Sequence, residues 1–100
     1  MAMKRHVPRA DLRALRNDVA VTGVIARLGI PWKVRDGYFR FLCPRCSDFH
    51  TAASQETNLA RCFRCGVSFN PIDIVMAARG VSFLDAVRYL REEAASIREP

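Results

Sequence analysis

An α+β fold, with antiparallel β-hairpins flanked by short N-terminal and C-terminal helices, is predicted by three features of this 100-residue sequence. Two Cys-x-x-Cys steps, Cys43–Cys46 and Cys62–Cys65, stand in its middle with fifteen residues between them. Asp36-Gly37 lies between two runs of alternating character. That is a strong hairpin signal, because a type I′ turn needs positive φ at both central positions. On either side of this region, apolar residues recur at i, i+3, i+4 and i+7, the spacing of one helical face. Residues 1–100 are one domain's worth of chain, and the ordered part is expected to span about 7–92, with flexible termini.

The elements follow in order. Pro8 fits the first turn of a helix running to about Arg16, with Leu12 and Leu15 as its apolar contacts. Asn17 or Asp18 is expected to cap a second helix, whose stripe is Val21, Val24, Ile25 and Leu28. Gly29 closes it, and Pro31 prevents its resumption. Taking Asp36-Gly37 as a two-residue loop fixes the first hairpin's register. Arg35 faces Tyr38, Val34 faces Phe39, Lys33 faces Arg40 and Trp32 faces Phe41. Side chains alternate faces along a strand, so Trp32, Val34, Phe39 and Phe41 are expected to form a core surface. Lys33, Arg35, Tyr38 and Arg40 then form a basic face that carries an aromatic ring.

A second hairpin is predicted from Phe49–Ala53 to Leu59–Phe63, turning in the polar stretch Ser54–Asn58. After Cys65-Gly66 the chain is expected to become helical. Asn70 serves as N-cap, Pro71 as N1 and Asp73 as the acid near the positive end of the helix dipole. Ile72, Val75 and Met76 share a face, and Gly80 ends this helix. Ser82 and Asp85 form a capping-box pattern ahead of the stripe Phe83, Ala86, Val87 and Leu90. The polar tail from Arg91 is expected to fray.

Half the residues are apolar and 26% are charged, with both signs present, a globular composition. The N-terminal MAMKRHVPRA carries charge without a following apolar stretch, so no secretory signal is expected. No apolar run reaches the length of a membrane span. The expected setting is the cytoplasm, where thiols stay reduced. The formal net charge is +6, from 14 arginines and two lysines against ten acidic residues. Four thiolates around a zinc ion would bring this to about +4, which still favours a polyanionic partner.

The cysteine spacing is the strongest chemical signal. A Cys-x-x-Cys step lets two sulfurs meet one ion from a tight turn, with backbone amides donating to the thiolates. Two such knuckles on adjacent hairpins bring four sulfurs to a closed tetrahedral site, which leaves no open position for water and is structural. Two disulfides, a redox Cys-x-x-Cys, an iron site and four buried thiols are the rival readings. The lack of a secretory signal weighs against disulfides, and the pairing of the knuckles weighs against a lone redox motif. One structural Zn2+ on Cys43, Cys46, Cys62 and Cys65 is therefore expected, giving a small zinc ribbon. His50 and Asp48 follow the first knuckle closely, but four cysteines already complete the shell, so His50 is expected at the surface.

Around this site cluster Lys33, Arg35, Arg40, Arg45, Arg61 and Arg64, with Tyr38 and Phe63 among them as stacking surfaces. Charge along a groove with aromatic platforms is how proteins hold single strands. Arg45 and Arg64 occupy matching positions within the two knuckles. Catalysis finds no support: the carboxylates are scattered, and there is no phosphate-binding loop and no Ser/His/Asp or Cys/His arrangement.

The order of parts resembles the zinc-binding domain of bacterial-type and phage-type DNA primases. The segments that carry the likeness are Val7-Pro8-Arg9, Gly37-Tyr-Phe-Arg-Phe-Leu-Cys-Pro44, Cys62-Phe-Arg-Cys-Gly66, Ile72-Asp-Ile-Val-Met76 and Ser82-Phe-Leu-Asp-Ala-Val87 through Leu90. They cover about residues 7–92. Cys46 stands where that family usually has a histidine ligand, and the family's glycine after the second knuckle is absent from Val67-Ser-Phe-Asn70. The resemblance implies a domain that engages single-stranded DNA template during primer synthesis in DNA replication. It implies a primase catalytic core or replicative helicase as partner, and no membrane. The family's polymerising core follows this domain, so an accessory role without catalysis by these residues alone is expected. A protein-interaction module that docks a replication or regulatory partner is the alternative.

Overall fold

The computed structural model describes residues 7–98, and the expected flexibility of residues 1–6 and of Glu99 and Pro100 falls outside them. The fold is α+β, as the sequence predicts, with four helices and one five-stranded antiparallel sheet among the described residues. Helices α1 (Arg9–Asn17) and α2 (Val21–Arg27) come first. Strands β1 (Trp32–Arg35), β2 (Tyr38–Phe41), β3 (Thr51–Ser54), β4 (Leu59–Cys62) and β5 (Val67–Phe69) follow, then α3 (Pro71–Arg79) and α4 (Phe83–Arg98). The strands pair in sequence order as a simple meander.

The first hairpin has the predicted register at all four pairs, Trp32↔Phe41 through Arg35↔Tyr38. Asp36 at φ 55° and Gly37 at φ 80° supply the two positive angles of its turn. The expected core surface is only partly one. Phe41 is fully buried, but Trp32 is 49% and Val34 64% exposed, and Trp32 stacks on Phe39 with ring centroids 4.9 Å apart. The reason lies in what covers the sheet. Helices α2 and α3 pack over β4 and β5, so β1, at the far edge, is exposed along its whole length. Alternation told which residues share a face, but not how far the helical layer reaches.

β2 and β3 share one backbone pair, Phe39↔Ala53, and a side chain completes the join. The Thr51 hydroxyl donates to the Phe41 carbonyl at 2.6 Å and accepts from the Phe41 N–H at 2.9 Å, fully buried. It stands in for a peptide group where the strands diverge. The chain after Gly66 does not turn directly into a helix. Val67 and Phe69, flanking exposed Ser68, form β5 against β4 before α3 starts.

Two helix starts behave as expected. Asn70 caps α3 by accepting from the Asp73 N–H at 2.8 Å, while Asp73 accepts from the Asn70 N–H at 3.1 Å. Ser82 caps α4 through the Asp85 N–H at 3.2 Å. The start of α2 does not. Asn17 ends α1, Asp18 follows it, and Ala20 precedes α2 with no capping side chain. The cap comes instead from the distant β3–β4 turn, where Asn58 accepts from the Val21 N–H at 2.8 Å. The same amide donates to the carbonyls of Arg16 at 2.6 Å and Val19 at 2.8 Å. At the far end α4 continues helically through Arg98 rather than fraying from Arg91. Arg91 pairs with Asp11 of α1 at 2.8 Å, and Glu93 with Arg27 of α2 at 2.6 Å.

The core lies between the helices and one face of the sheet. Val21, Val24 and Ile25 of α2, Ile72, Ile74 and Val75 of α3, and Ala86, Val87 and Leu90 of α4 meet Phe41, Ala60 and Phe69. Phe83, expected in the α4 stripe, stays exposed. Among the described residues no helix is long and apolar enough to cross a membrane.

Candidate metal centre

Both Cys-x-x-Cys segments fold into the same tight turn. In the first, the Ser47 N–H returns to the Cys43 carbonyl at 2.8 Å, and in the second the Gly66 N–H returns to the Cys62 carbonyl at 2.8 Å. The residue after each second cysteine is left-handed, Ser47 at φ 59° and Gly66 at φ 74°. In each turn an amide also points at the leading sulfur, Arg45 N–H to Cys43 Sγ at 3.4 Å and Cys65 N–H to Cys62 Sγ at 3.3 Å. Such donors stabilise thiolates over thiols.

The sheet brings the two turns together. Thr51 pairs with Cys62, the Cys43 N–H bonds to the Asp48 carbonyl at 3.0 Å, and the Phe63 N–H bonds to the His50 carbonyl at 2.9 Å. All four sulfurs lie within 4.8 Å of one another, close enough to share one metal ion. Cys43 and Cys65 stand 3.9 Å apart, Cys46 and Cys62 3.6 Å. A tetrahedral ion with sulfur ligands at about 2.3 Å needs sulfurs about 3.8 Å apart, so the cage has the right size. Cys43 and Cys62 are buried beneath, and Cys46 and Cys65 are half-buried above.

The protonation chemistry asks for a cation at the centre. Burial pushes the Cys43 thiol up. Burial also works against the Cys62 thiolate, but the Cys65 amide and the neighbouring thiols outweigh it and bring Cys62 down to about 7. A hydrogen bond with Cys46, then burial, pushes Cys65 up to about 12. Cys62 thus holds a negative charge more readily than Cys43 or Cys65. A divalent cation favours the thiolate form.

The chain was compared with protein-family models and with curated proteins, and it matches none of them.

The basic residues fall into two groups. Register and alternation place Lys33, Arg35, Tyr38, Arg40 and Arg61 on the face of the sheet turned away from the helices. Tyr38 is 56% exposed there, and Phe63, just past β4, is 52% exposed. Arg45 and Arg64 instead sit exposed on the knuckles, and Arg64 Nη1 reaches Asp48 at 3.3 Å. Among the described residues, Lys33, Arg35, Arg40, Arg45 and Arg61 form no ion pair. Three cations lie against rings: Lys33 over Phe49 at 4.8 Å, Arg40 over Tyr38 at 5.6 Å and Arg61 over Phe63 at 5.7 Å. Arg40 is further held by a 2.9 Å bond from Nη1 to the Thr51 carbonyl. His50 is exposed beside Phe63, centroids 5.8 Å apart, and outside the sulfur cage.

Sequence reasoning missed Phe49 and Ser68 as parts of this surface, and it missed buried Thr51 as the residue whose carbonyl holds Arg40. Thr51 and Phe49 act only through strand pairing. Ser68, which receives Arg61 Nη1 at 3.1 Å, was hidden with the strand that carries it. The alternation of Val67-Ser-Phe69 was the available signal.

Proposed function

We propose that the four cysteines bind one structural zinc ion and that the outer sheet face binds single-stranded DNA, as a template-recognition domain acting in primer synthesis. Four thiolates in a closed tetrahedral cage are a soft donor set that suits zinc, and such a site holds structure rather than performing chemistry. A reducing cytoplasmic setting keeps those thiols available. The reading of the face rests on one observation. Lys33, Arg35, Arg40 and Arg61 share an exposed surface with Tyr38 and adjoin Phe63, and no carboxylate among the described residues pairs with any of the four cations. Unpaired cations interleaved with exposed rings suit a strand whose phosphates and bases are both accessible. The assignment to primer synthesis rests on the motif resemblance, with polymerisation left to a separate primase core.

Fluorescence anisotropy with labelled single-stranded DNA at two salt concentrations tests this. A variant combining Arg40→Ala, Arg61→Ala and Arg64→Ala is expected to bind at least about tenfold more weakly at low salt, and with a weaker salt dependence. Equal, weak binding by both proteins contradicts the reading.

The exposed Trp32 and Val34 on the edge strand, with Trp32 stacked on half-buried Phe39, favour a second one, a zinc ribbon that docks a primase catalytic core or replicative helicase. Partner capture without DNA affinity supports that reading over the first.

A further inference from the structure

The strand register lines up one residue from each strand in a single row across the outer face. Lys33 pairs with Arg40, Ala52 with Arg61, and Arg61 with Ser68. The Phe39↔Ala53 pair sets Arg40 opposite Ala52. Read across the sheet, the row is Lys33, Arg40, Ala52, Arg61, Ser68. Neighbouring strands are about 4.8 Å apart, so the row is about 19 Å long.

Three of its five positions are cations, and each leans on a ring beside the row: Phe49, Tyr38 and Phe63 respectively. Lys33 directly opposite Arg40 is a like-charge cross-strand pair, which destabilises a hairpin unless an anion neutralises it. Two hollows flank the centre of the row. One of about 420 Å³ has Lys33, Arg40, Phe49 and His50 in its wall, together with Asp36 and Asp48. The other, of about 670 Å³, has Tyr38, Ala52, Arg61, Phe63 and Ser68 in its wall, together with Glu56, and extends to Val34, Phe39 and Ala53. Asp48 already receives Arg64 at 3.3 Å and the His50 N–H at 2.7 Å, and among the described residues neither Asp36 nor Glu56 forms an ion pair with a cation of the row.

Resting on the nucleic-acid reading above, we infer that a single strand crosses the sheet perpendicular to the β-strands along this row. Lys33, Arg40 and Arg61 each meet a phosphate, and bases stack on Tyr38 and Phe63 to either side. The knuckle residues Arg45 and Arg64 are outside the strand-paired row. Ala52 marks the gap between the second and third phosphate contacts.

Salt titrations of labelled oligothymidylate, read by anisotropy on the zinc-loaded chain, test the path. Three phosphate contacts give a slope of log K against log salt of about −2. Lys33→Ala, Arg40→Ala and Arg61→Ala each flatten it by about 0.7, whereas Arg13→Ala and Arg88→Ala, on the helices behind the sheet, leave it unchanged. Tyr38→Leu and Phe63→Leu weaken binding about tenfold at an unaltered slope. Ala52→Arg adds a cation to the row and steepens the slope by about 0.7, a gain that misfolding cannot produce. Thermal melts confirm that each variant is folded. If wild type binds but Ala52→Arg does not steepen the slope, or the helix-side variants flatten it as much as the row variants do, the path is wrong and the broader nucleic-acid reading stands. If wild type does not bind at all, both fall.

Discussion

Asn58 does more for the fold than its place in a turn suggests. One amide satisfies the Val21 N–H that opens α2 and two carbonyls, Arg16 and Val19, left open where α1 ends. Its φ of 56° is one that asparagine tolerates better than most residues. It joins the β3–β4 turn to the helical layer by polar contacts alone. Asn58→Ala removes all three bonds and adds backbone strain, so a loss of about 2–3 kcal/mol in unfolding free energy is expected. Asn58→Gly keeps the φ and is expected to lose less. Denaturant titration of both variants against the wild type measures the losses, and an Asn58→Gly variant as stable as the wild type would show that the amide contributes little.

At the scale of elements, the two knuckles share one turn, and a difference in their left-handed residue is testable. The left-handed position after the second cysteine is glycine in one, Gly66, and serine in the other, Ser47. A side chain in that conformation costs about 1 kcal/mol. Gly66→Ala is therefore expected to lower stability by about that amount, while Ser47→Gly leaves it unchanged or raises it. Thermal unfolding in the presence of zinc checks the sign, and a loss from Ser47→Gly would mean that its side chain has a role the turn geometry does not show. The first hairpin was fully legible in sequence, because Asp36-Gly37 dictates both turn type and register. So was the start of α3, because Asn70, Pro71 and Asp73 act within one turn. The cap of α2 was not, since Asn58 lies 37 residues from Val21. Burial of Trp32 and Val34 was misjudged for a related reason: strand alternation is local, but the extent of the covering layer is set by where α2 and α3 end. The cysteine cage was legible because metal-ligand spacing is itself a local signal, repeated.

The molecule as a whole is a helical layer with an aliphatic core and a sheet that extends beyond it. Exposed pairs such as Arg91–Asp11 and Arg27–Glu93 each contribute under about 1 kcal/mol, so they do not secure the extension. Thr51 and the cysteine cage do, at the two places where β2 meets β3 and the knuckles meet each other. A small core commonly needs such a staple. A metal bound by four cysteines displaces thiol protons, so the affinity expected of the proposed zinc site falls as pH falls. Cys62, brought down to about 7, keeps its thiolate more readily than Cys65, which is pushed up to about 12. Native mass spectrometry of protein purified under reducing conditions tests the metal centre most directly. At neutral pH the predicted mass exceeds that of the chain by one zinc ion less the protons it displaces, and this addition disappears with strong chelator or on acidification. A chain of unaltered mass at neutral pH in the presence of zinc, or one lighter by the hydrogens of two disulfides, would contradict the account.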